Sequence, residues 1–241
     1  MTRVFYSGSL DLGLTYTLDE FASRHISQVL RCKIGNNVKV FNQSSEFLAE
    51  ITSVAKHSVE IKTLKSLITR TESPLKIHLL QAVTRGERMD YSIQKATELG
   101  VTSIQPILTQ HCVVKLDERK AGKRLAHWNG IARHATEQSG RLSIPDIHPI
   151  LDFKEAISHK LSDVHLIFAL VSQSSLKSIK ESNPSSVCIA LGPVGGFSEN
   201  EVTLALESGY QSIKLGPRIL RAETATVAAL TAIQMLWGDL N

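Results

Sequence analysis

The hydrophobic pattern changes in kind partway along the chain. Over residues 1–68 apolar and polar positions alternate in short runs, at 47–54 and 58–64, and show helical spacing once, over residues 20–30. A polar, aperiodic segment that contains a proline follows, as is typical of a domain boundary. The pattern predicts a small β-rich domain over residues 1–68 and a second domain over residues 75–241.

The second domain alternates buried strands with helices. Strands separated by helices pair in parallel, and the helices cover both faces of the sheet. The pattern therefore predicts an α/β domain with a parallel sheet, and it predicts Asp117 as the N-cap of the longest helix. The predicted strands are residues 77–83, 103–108, 164–171, 186–191 and 211–214, and the predicted helices are residues 89–99, 117–139, 198–208 and 222–236.

Two loops that contain Gly-Pro follow the last two predicted strands. The first is GPVGG, residues 192–196, and the second is LGPRILR, residues 215–221. Neither matches a P-loop or the dinucleotide fingerprint. One such loop is consistent with a tight strand-to-helix turn, with Ser198 and Glu201 as a capping box. Two of them favour a ligand site at the carboxyl ends of parallel strands, and a site built mainly of backbone groups suits a ligand with an adenine edge and little phosphate.

Both loops lie in longer motifs that resemble a known class of enzyme. GPVGGFSENE (192–201) and LGPRILRAETA (215–225) are similar to the two loop motifs of the SPOUT class of S-adenosylmethionine-dependent RNA methyltransferases. Further segments match the ribosomal RNA small subunit methyltransferase E family in order: HISQVLRCKIG (25–35), GERMDYSIQKATELGV (86–101), VVKL (113–116) and ATEQSGR (135–141). The chain departs from the family pattern at Val194 (usually Glu), at Ala222 (usually Thr) and at Gln110-His111-Cys112 (usually residues like Ser-Glu-Arg-Ser).

The resemblance covers nearly the whole chain and implies a fold, a cofactor and partners. The implied fold is a PUA-like β-barrel that binds RNA, followed by a SPOUT methyltransferase domain threaded into a trefoil knot. The implied methyl donor is S-adenosylmethionine, and the implied substrate is N3 of a uridine in 16S rRNA of the small ribosomal subunit. The implied assembly is a homodimer. The residues that match the family's cofactor site are Leu191, Gly192, Gly196, Leu215, Gly216, Ile219 and Leu220.

Methylation at uracil N3 requires that the base leave any stack or pair and that N3 lose its proton. A cation would stabilise the resulting uracil anion, and Arg221, Arg133 and Arg141 are the candidates. Glu223 and Glu137 are candidate bases for the proton. Alternatively, Arg133, Glu137 and Arg141, spaced four residues apart, only pair with one another on a helix surface. Glu223 would then only stabilise the start of the last helix.

Basic residues are concentrated in one stretch. Residues 109–141 carry seven basic and three acidic side chains, so this stretch alone has the +4 net charge of the whole chain. Such a stretch is typical of a surface that contacts a polyanion, and it is also compatible with a solvated helix face. Further candidates for RNA-phosphate contacts are Arg24, Arg31, Arg85, Arg88 and Lys95, with ordinary surface solvation as the alternative.

Composition indicates the compartment in which the protein works. Three cysteines without a CxxC spacing argue against a disulfide framework or a metal site, and for a reducing cytoplasm. Residues 225–237, the most apolar stretch, are too few to cross a membrane, and the first residues lack the apolar core of a signal peptide. The last helix has no charged side chain after Glu223. It is therefore expected to be buried within its own domain or, as the resemblance implies, against a second copy.

Three other functions stay open from the sequence. The same chemistry could act on tRNA or 23S rRNA. A non-catalytic RNA-binding module would be consistent with the departures at Val194 and Ala222. An α/β enzyme that uses another adenine nucleotide would need only the two glycine-containing loops.

Overall fold

The computed structural model describes residues 1–55, 57–112, 118–159, 162–179 and 183–240. The chain forms two compact units, Met1–Glu72 together with Thr136–Ile144, and Ser73–Ala135 together with Pro145–Asn241. The motif at 113–116 and the expected N-cap Asp117 lie outside the described residues.

The first unit is built on one β-sheet. It contains β1 (Arg3–Phe5), β2 (Thr15–Thr17), the helix α1 (Glu20–Arg24) with a π-helical continuation (His25–Val29), β3 (Asn37–Phe41), β4 (Glu46–Val54) and β5 (Val59–Leu67). Among the described residues the strand order is β1-β3-β4-β5-β2, with β1 parallel to β3 and the other pairs antiparallel. The predicted β-rich character is confirmed, and the helix predicted over residues 20–30 is α1 with its continuation.

The core of the first unit follows from the alternation of apolar positions. Val38 and Val40 of β3, and Ile51 and Ile61 from the next two strands, are fully buried on one face of the sheet, where they pack around Ile26. Successive side chains of a strand point to opposite faces, so alternate positions are buried together. The start of α1 is fixed by the Asp19 side chain, which accepts a hydrogen bond of 2.8 Å from Ala22 N.

The second unit is an α/β layer structure. It contains β6 (Lys76–Ala82), α2 (Glu87–Glu98), β7 (Ser103–Leu108), most of α3 (Glu118–Ser139), β8 (Asp146–Ile147), β9 (Leu151–Asp152), α4 (Phe153–Ser158), β10 (Val164–Phe168), a 3-10 turn (Leu176–Ser178), β11 (Ser186–Leu191), α5 (Glu199–Glu207), β12 (Gln211–Ile213) and α6 (Ala222–Trp237). Its described strands all pair in parallel in the order β12-β10-β11-β6-β7-β8, and β9 pairs with β7. The predicted parallel sheet is confirmed. The two-residue strands β8 and β9 were not predicted, because two residues carry no periodicity.

The register of the central strands brings three strand ends to one place. β11 lies between β10 and β6, and all six of its residues are buried, as expected for a strand covered on both faces. Phe168, the last residue of β10, is in register with Leu191, the last residue of β11, and with Ile213, the last residue of β12. The loops that follow these strands therefore leave the sheet side by side, at the edge where ligands bind.

Candidate functional site

The loop after β11 turns back sharply on its own backbone. Gly195 and Gly196 have φ values of 138° and 73°, a region that side chains other than glycine rarely adopt. Gly196 N donates a hydrogen bond of 3.0 Å to Pro193 O, which closes the turn. A Cβ at Gly192 would lie 3.2 Å from backbone atoms of Gly196 and Phe197, so glycine is needed there for close approach of the backbone.

The end of this loop is held by the start of α5. The predicted capping box is confirmed: Glu201 N donates to Ser198 Oγ at 3.3 Å, and Ser198 N donates to Glu201 Oε2 at 2.8 Å. The other carboxylate oxygen of Glu201 accepts a hydrogen bond of 2.7 Å from Gln110 N. The ring nitrogen Nδ1 of His111 lies 3.0 Å from Gly196 O. The segment after β7 therefore braces the loop through backbone groups and a histidine.

The loop after β12 is anchored at its start and leads directly into α6. Lys214 N donates a hydrogen bond of 2.9 Å to Ser174 O, and Gly216 has a φ of 71°. Arg221 is the N-cap of α6, and its side chain makes no capping hydrogen bond. The first residue after the loop, Ala222, is buried.

These loops enclose a cavity of about 450 Å³, within the size range of small-molecule sites. All seven residues that match the family's cofactor site line it. Three arginines, Arg88, Arg218 and Arg221, also line it, and no acidic side chain does so among the described residues. The complete lining is Arg88, Phe168, Ala169, Leu170, Leu191, Gly192, Pro193, Val194, Gly195, Gly196, Leu215, Gly216, Arg218, Ile219, Leu220, Arg221, Ala222 and Ala225.

The sequence analysis missed part of this wall. Phe168 ends β10, Ala169 and Leu170 follow it directly, and Arg218 comes from the second loop. A signal for the first three was present, because the strand over residues 164–171 was predicted and its carboxyl end had to reach the same edge as β11 in a parallel sheet. What the sequence lacked was the strand order that makes β10 the neighbour of both β11 and β12.

The structure separates the four expected catalytic residues. Arg221 lines the cavity. Glu223 lies in the first turn of α6, and its Oε2 is buried without a hydrogen-bond partner among the described residues. Arg133 is half-buried on α3 and is not part of the cavity wall.

Arg141 has a different role from the one expected. Its side chain is only 5 % exposed, and it donates from Nε and Nη2 to Glu72 Oε2 at 3.1 and 2.8 Å. Glu72 also accepts hydrogen bonds from the backbone of Leu142 and Ser143. Burial raises the pKa of Glu72, but the hydrogen bonds from Arg141 and the backbone outweigh it and hold this pKa below its ordinary value. The geometry corrects the assignment, because a guanidinium committed to Glu72 is not available to a reacting base.

Glu137, the second candidate base, is also committed to the first unit. It is 7 % exposed, and its Oε1 accepts a hydrogen bond of 3.0 Å from Phe5 N. Thr136 O, next to it, accepts a hydrogen bond of 3.0 Å from Arg3 Nη1. Residues 136–144 therefore complete the first unit rather than contribute a polar face to the cavity.

The expected RNA-binding residues are distributed over both units. Arg24 and Arg31 are exposed in the first unit, and Arg31 has a φ of 52°, the one positive value among the described non-glycine residues. In the second unit Arg85 is exposed and Arg88 lines the cavity. Lys95 Nζ lies 2.8 Å from Glu98, so its charge is paired on the helix.

Two family models match the chain, and they define its class. Residues 71–234 match an RNA methyltransferase domain, and residues 18–64 match an RNA methyltransferase PUA domain. The fold and the site are therefore those of a PUA-containing RNA methyltransferase. The predicted fold class, a PUA-like β domain followed by a parallel-sheet SPOUT methyltransferase domain, is confirmed.

Relatives narrow this class to one family. Ribosomal RNA small subunit methyltransferase E of Buchnera aphidicola subsp. Schizaphis graminum (strain Sg) is 35% identical over 241 residues, which cover 99% of this chain and 98% of that protein. The protein of the same name from Bacillus subtilis (strain 168) is 32% identical, with 93% of each chain covered. The chain belongs to the ribosomal RNA small subunit methyltransferase E family, as its motifs indicated.

Solved structures agree with this assignment. Ribosomal RNA small subunit methyltransferase E from Neisseria gonorrhoeae, solved with bound S-adenosyl methionine, is 39% identical, has a TM-score of 0.91 and matches over 100% of both chains. A methyltransferase from Legionella pneumophila, solved with bound cofactor SAM, is 36% identical, has a TM-score of 0.96 and matches over 99% of both chains. S-adenosylmethionine, the cofactor expected from the sequence, is the ligand bound in both of these structures.

Neither a membrane span nor a metal cluster is found in the described part of the chain. None of the described helices is both long and apolar enough to span a bilayer. Within the same residues, no three histidine, cysteine or acidic side chains come together as a metal-binding group.

Proposed function

We propose that this chain is an S-adenosylmethionine-dependent methyltransferase that methylates N3 of a uridine in 16S rRNA of the small ribosomal subunit. The observation that carries the proposal is the cavity at the carboxyl ends of β10, β11 and β12, in a chain 39% identical to a relative solved with the methyl donor. The names of the relatives support an rRNA substrate, and the position N3 rests on the resemblance of the loop motifs.

The cavity fits S-adenosylmethionine in size and chemistry. Three apolar side chains, Leu191, Leu215 and Leu220, line it together with backbone of the glycine-containing loops. Gly192 lets the loop fold closely on its own backbone, and Gly196 supplies the positive φ of the turn. A wall built of such backbone suits recognition of an adenine edge by N–H and C=O groups. Gly216 and Ile219 complete the expected set. When bound, the donor supplies an activated methyl group on a positively charged sulfur.

Arg221 is the residue that we propose to stabilise the uracil anion. It lines the cavity, it is exposed, and it forms no ion pair with a described residue. It also stands at the N-terminus of the 16-residue helix α6, where the helix dipole favours negative charge. Its guanidinium can therefore stabilise the charge that develops on the base when N3 loses its proton.

Glu223 is not part of the cavity wall, and we propose it as the acceptor of the N3 proton because of its place beside Arg221 and Ala222, which are part of that wall. It lies two residues after Arg221, and its Oε2 is the carboxylate oxygen without a hydrogen-bond partner among the described residues. The alternative from the sequence, a purely structural role at the start of α6, predicts that replacement lowers stability and leaves the pH profile of kcat unchanged. Arg133 stays a candidate for contact with an RNA phosphate.

The substrate-binding surface and the assembly are part of the same proposal. The PUA-like unit carries Arg24 and Arg31, the loop before α2 carries Arg85, and the first turn of α2 carries Arg88; we propose that they contact rRNA phosphates. We also propose that the enzyme acts in the cytoplasm as a homodimer. Support for the dimer comes from α6, where Met235 and Leu236 are 58% and 46% exposed.

The central test is methyl transfer to defined RNA. Purified protein and labelled S-adenosylmethionine are incubated with small ribosomal subunits from cells that lack the gene, and with naked 16S rRNA, 23S rRNA and tRNA in parallel. Digested nucleosides are then identified by mass spectrometry. We expect 3-methyluridine from the subunits. Label found only in tRNA or 23S rRNA would show that the substrate is that RNA and not 16S rRNA. Donor binding is tested separately in a thermal-shift panel that also contains ATP and NAD, and no stabilisation by the donor would contradict the enzyme proposal.

Replacement of Arg221 tests its role in the reaction. For Arg221→Ala we expect kcat to fall about 100-fold, as for loss of one group that stabilises a developing anion. Affinity for S-adenosylmethionine, measured by calorimetry, should stay within about threefold, because backbone and apolar groups hold the donor. The control is Lys154→Ala, which removes an exposed cation of α4 outside the cavity. Equal losses in kcat and in donor affinity would contradict the assignment.

A further inference from the structure

A second concavity adjoins the cofactor cavity. It measures about 420 Å³ and shares Leu215, Gly216, Arg218 and Leu220 with the first, so the loop after β12 is a wall of both. Its remaining lining is Ser175, Leu176, Lys177, Lys214, Thr224 and Ala228. We call the group Lys177, Lys214, Arg218, Ser175 and Thr224 the cation cradle.

The two lysines of the cradle come from segments that hydrogen bonds tie together. Lys214 N donates to Ser174 O at 2.9 Å, and Ser172 Oγ donates to Ser212 O at 2.6 Å, so the segment after β10 is tied to β12. Lys177 lies in the 3-10 turn of that segment, which Ser178 N closes with a hydrogen bond of 2.9 Å to Ser175 O. Two stretches that are distant in sequence thus supply charge to one concave surface.

The charge of the cradle is not balanced within the described part of the chain. No acidic side chain lines the concavity, and none of its three cations forms an ion pair with a described residue. Like charges on one concave surface repel one another and concentrate a positive field. A bound anion relieves that repulsion. Lysine, arginine and hydroxyl groups together are the donors that proteins use for phosphate oxygens.

We propose that the cation cradle binds a backbone phosphate of the substrate RNA. The inference rests on the proposed function and adds a binding site for the backbone of the substrate RNA. S-adenosylmethionine has no phosphate, and its one anionic group is the carboxylate of its methionine part. That carboxylate is the alternative occupant of the cradle, and the donor affinity of the cradle variant distinguishes it from an RNA phosphate. Because the loop after β12 separates the cradle from the cofactor cavity, a phosphate held there keeps its neighbouring nucleotide at the cavity that Arg221 lines. The cradle thereby positions the target base, and it touches no reacting atom.

The test removes the two lysines and spares Arg218, which also lines the cofactor cavity. The variant is Lys177→Gln with Lys214→Gln. The control is Lys76→Gln with Lys154→Gln, which removes two exposed lysines of the second unit outside both concavities. Binding of a fragment of 16S rRNA is measured by fluorescence anisotropy at several salt concentrations, binding of S-adenosylmethionine by calorimetry, and the oligomeric state by sedimentation.

We expect the cradle variant to bind the RNA at least about fivefold more weakly. The slope of log K against log salt should become shallower by about 0.7 for each phosphate that the variant no longer neutralises. Donor affinity, oligomeric state and the control should not change. An unchanged RNA affinity and salt slope would overturn the proposal. A dissociated assembly would overturn it too, because the cradle would then hold an acidic group of a second copy.

Failure of the cradle and failure of the proposed function give different results. The anisotropy measurement needs no turnover, so it tests the cradle even if the wild-type protein methylates another RNA. If the wild-type protein forms 3-methyluridine and the cradle variant has an unchanged KM for RNA, only the cradle is wrong. A raised KM with an unchanged kcat at saturating RNA supports a positioning role.

Discussion

At the scale of single residues, the shape of the cofactor site depends on glycines that leave no room for a side chain. A Cβ at position 192 would lie 3.2 Å from the backbone of Gly196 and Phe197, which is tighter than ordinary van der Waals contact. For Gly192→Ala we therefore expect the loop to shift. Overpacking of this kind costs about 1–3 kcal/mol, and about 1.4 kcal/mol corresponds to tenfold in affinity. Calorimetry should show S-adenosylmethionine bound about tenfold more weakly or worse.

The matched control for this prediction is Gly122→Ala. Gly122 lies in α3, and an added Cβ would meet nothing within 4 Å. Alanine is favoured over glycine in a helix by about 1 kcal/mol, so the control should keep donor affinity and gain a little thermal stability. If both variants bind the donor like the wild-type protein, the close approach at position 192 has no function.

At the scale of elements, the local sequence pattern predicted whether a segment is a helix or a strand, but not which residues its faces contact. The spacing of Arg133, Glu137 and Arg141 predicted that they lie on one side of a helix; Arg133 and Glu137 do lie in α3, but Arg141 lies beyond its end at Ser139. Glu137 accepts a hydrogen bond from Phe5, and Arg141 donates to Glu72, which are 132 and 69 residues away in sequence. No pattern within a helix contains such partners. The loop motifs were easier to predict, because the capping box and the positive-φ glycines are local features.

Helix α6 also makes contacts that its own sequence pattern does not predict. Its buried side includes Gln234, which donates to Leu99 O at 2.8 Å and accepts from Ser73 Oγ at 2.9 Å. Met235 and Leu236 follow on the side that the chain leaves exposed. If a second copy covers that side, Met235→Glu buries a charge in an apolar interface. Sedimentation should then show a dimer for the wild-type protein and a monomer for the variant.

The control for the interface is Leu206→Glu. Leu206 lies in α5 of the same unit and is 49% exposed, so the substitution is chemically similar and avoids α6. We expect it to leave the oligomeric state unchanged. A wild-type protein that sediments as a monomer at micromolar concentration would contradict the homodimer, and a Met235→Glu variant that remains dimeric would place the interface elsewhere.

At the scale of the whole molecule, the chain order is not the order of its compact units. Residues 136–144 follow much of the second unit in sequence but belong to the first. Two carboxylates of the first unit have lowered pKa values. Burial raises the pKa of Glu46 and of Glu72, but hydrogen bonds from Thr69 and Arg3 to Glu46, and from Arg141 and the backbone to Glu72, more than compensate. Sequence spacing could not predict these pairs, since each partner is distant along the chain.

The Glu72–Arg141 pair makes the stability of the protein depend on pH in a defined direction. A carboxyl whose pKa is lower in the folded than in the unfolded state contributes stability above its unfolded pKa, about 4.3, and loses that contribution as pH falls through the folded value. At pH 7, Glu72→Gln should lower the free energy of unfolding by about 1–3 kcal/mol, because it weakens the hydrogen bonds to a buried guanidinium. At pH 3 the difference from the wild-type protein should shrink, because Glu72 is then increasingly protonated in both states. Urea unfolding, followed by circular dichroism at both pH values, measures this difference in the free energy of unfolding. The control is Asp11→Asn, which replaces an exposed carboxyl of the same unit. A difference of the same size at pH 7 and pH 3 would show that the shape of the side chain, and not its charge, holds residues 136–144 in the first unit.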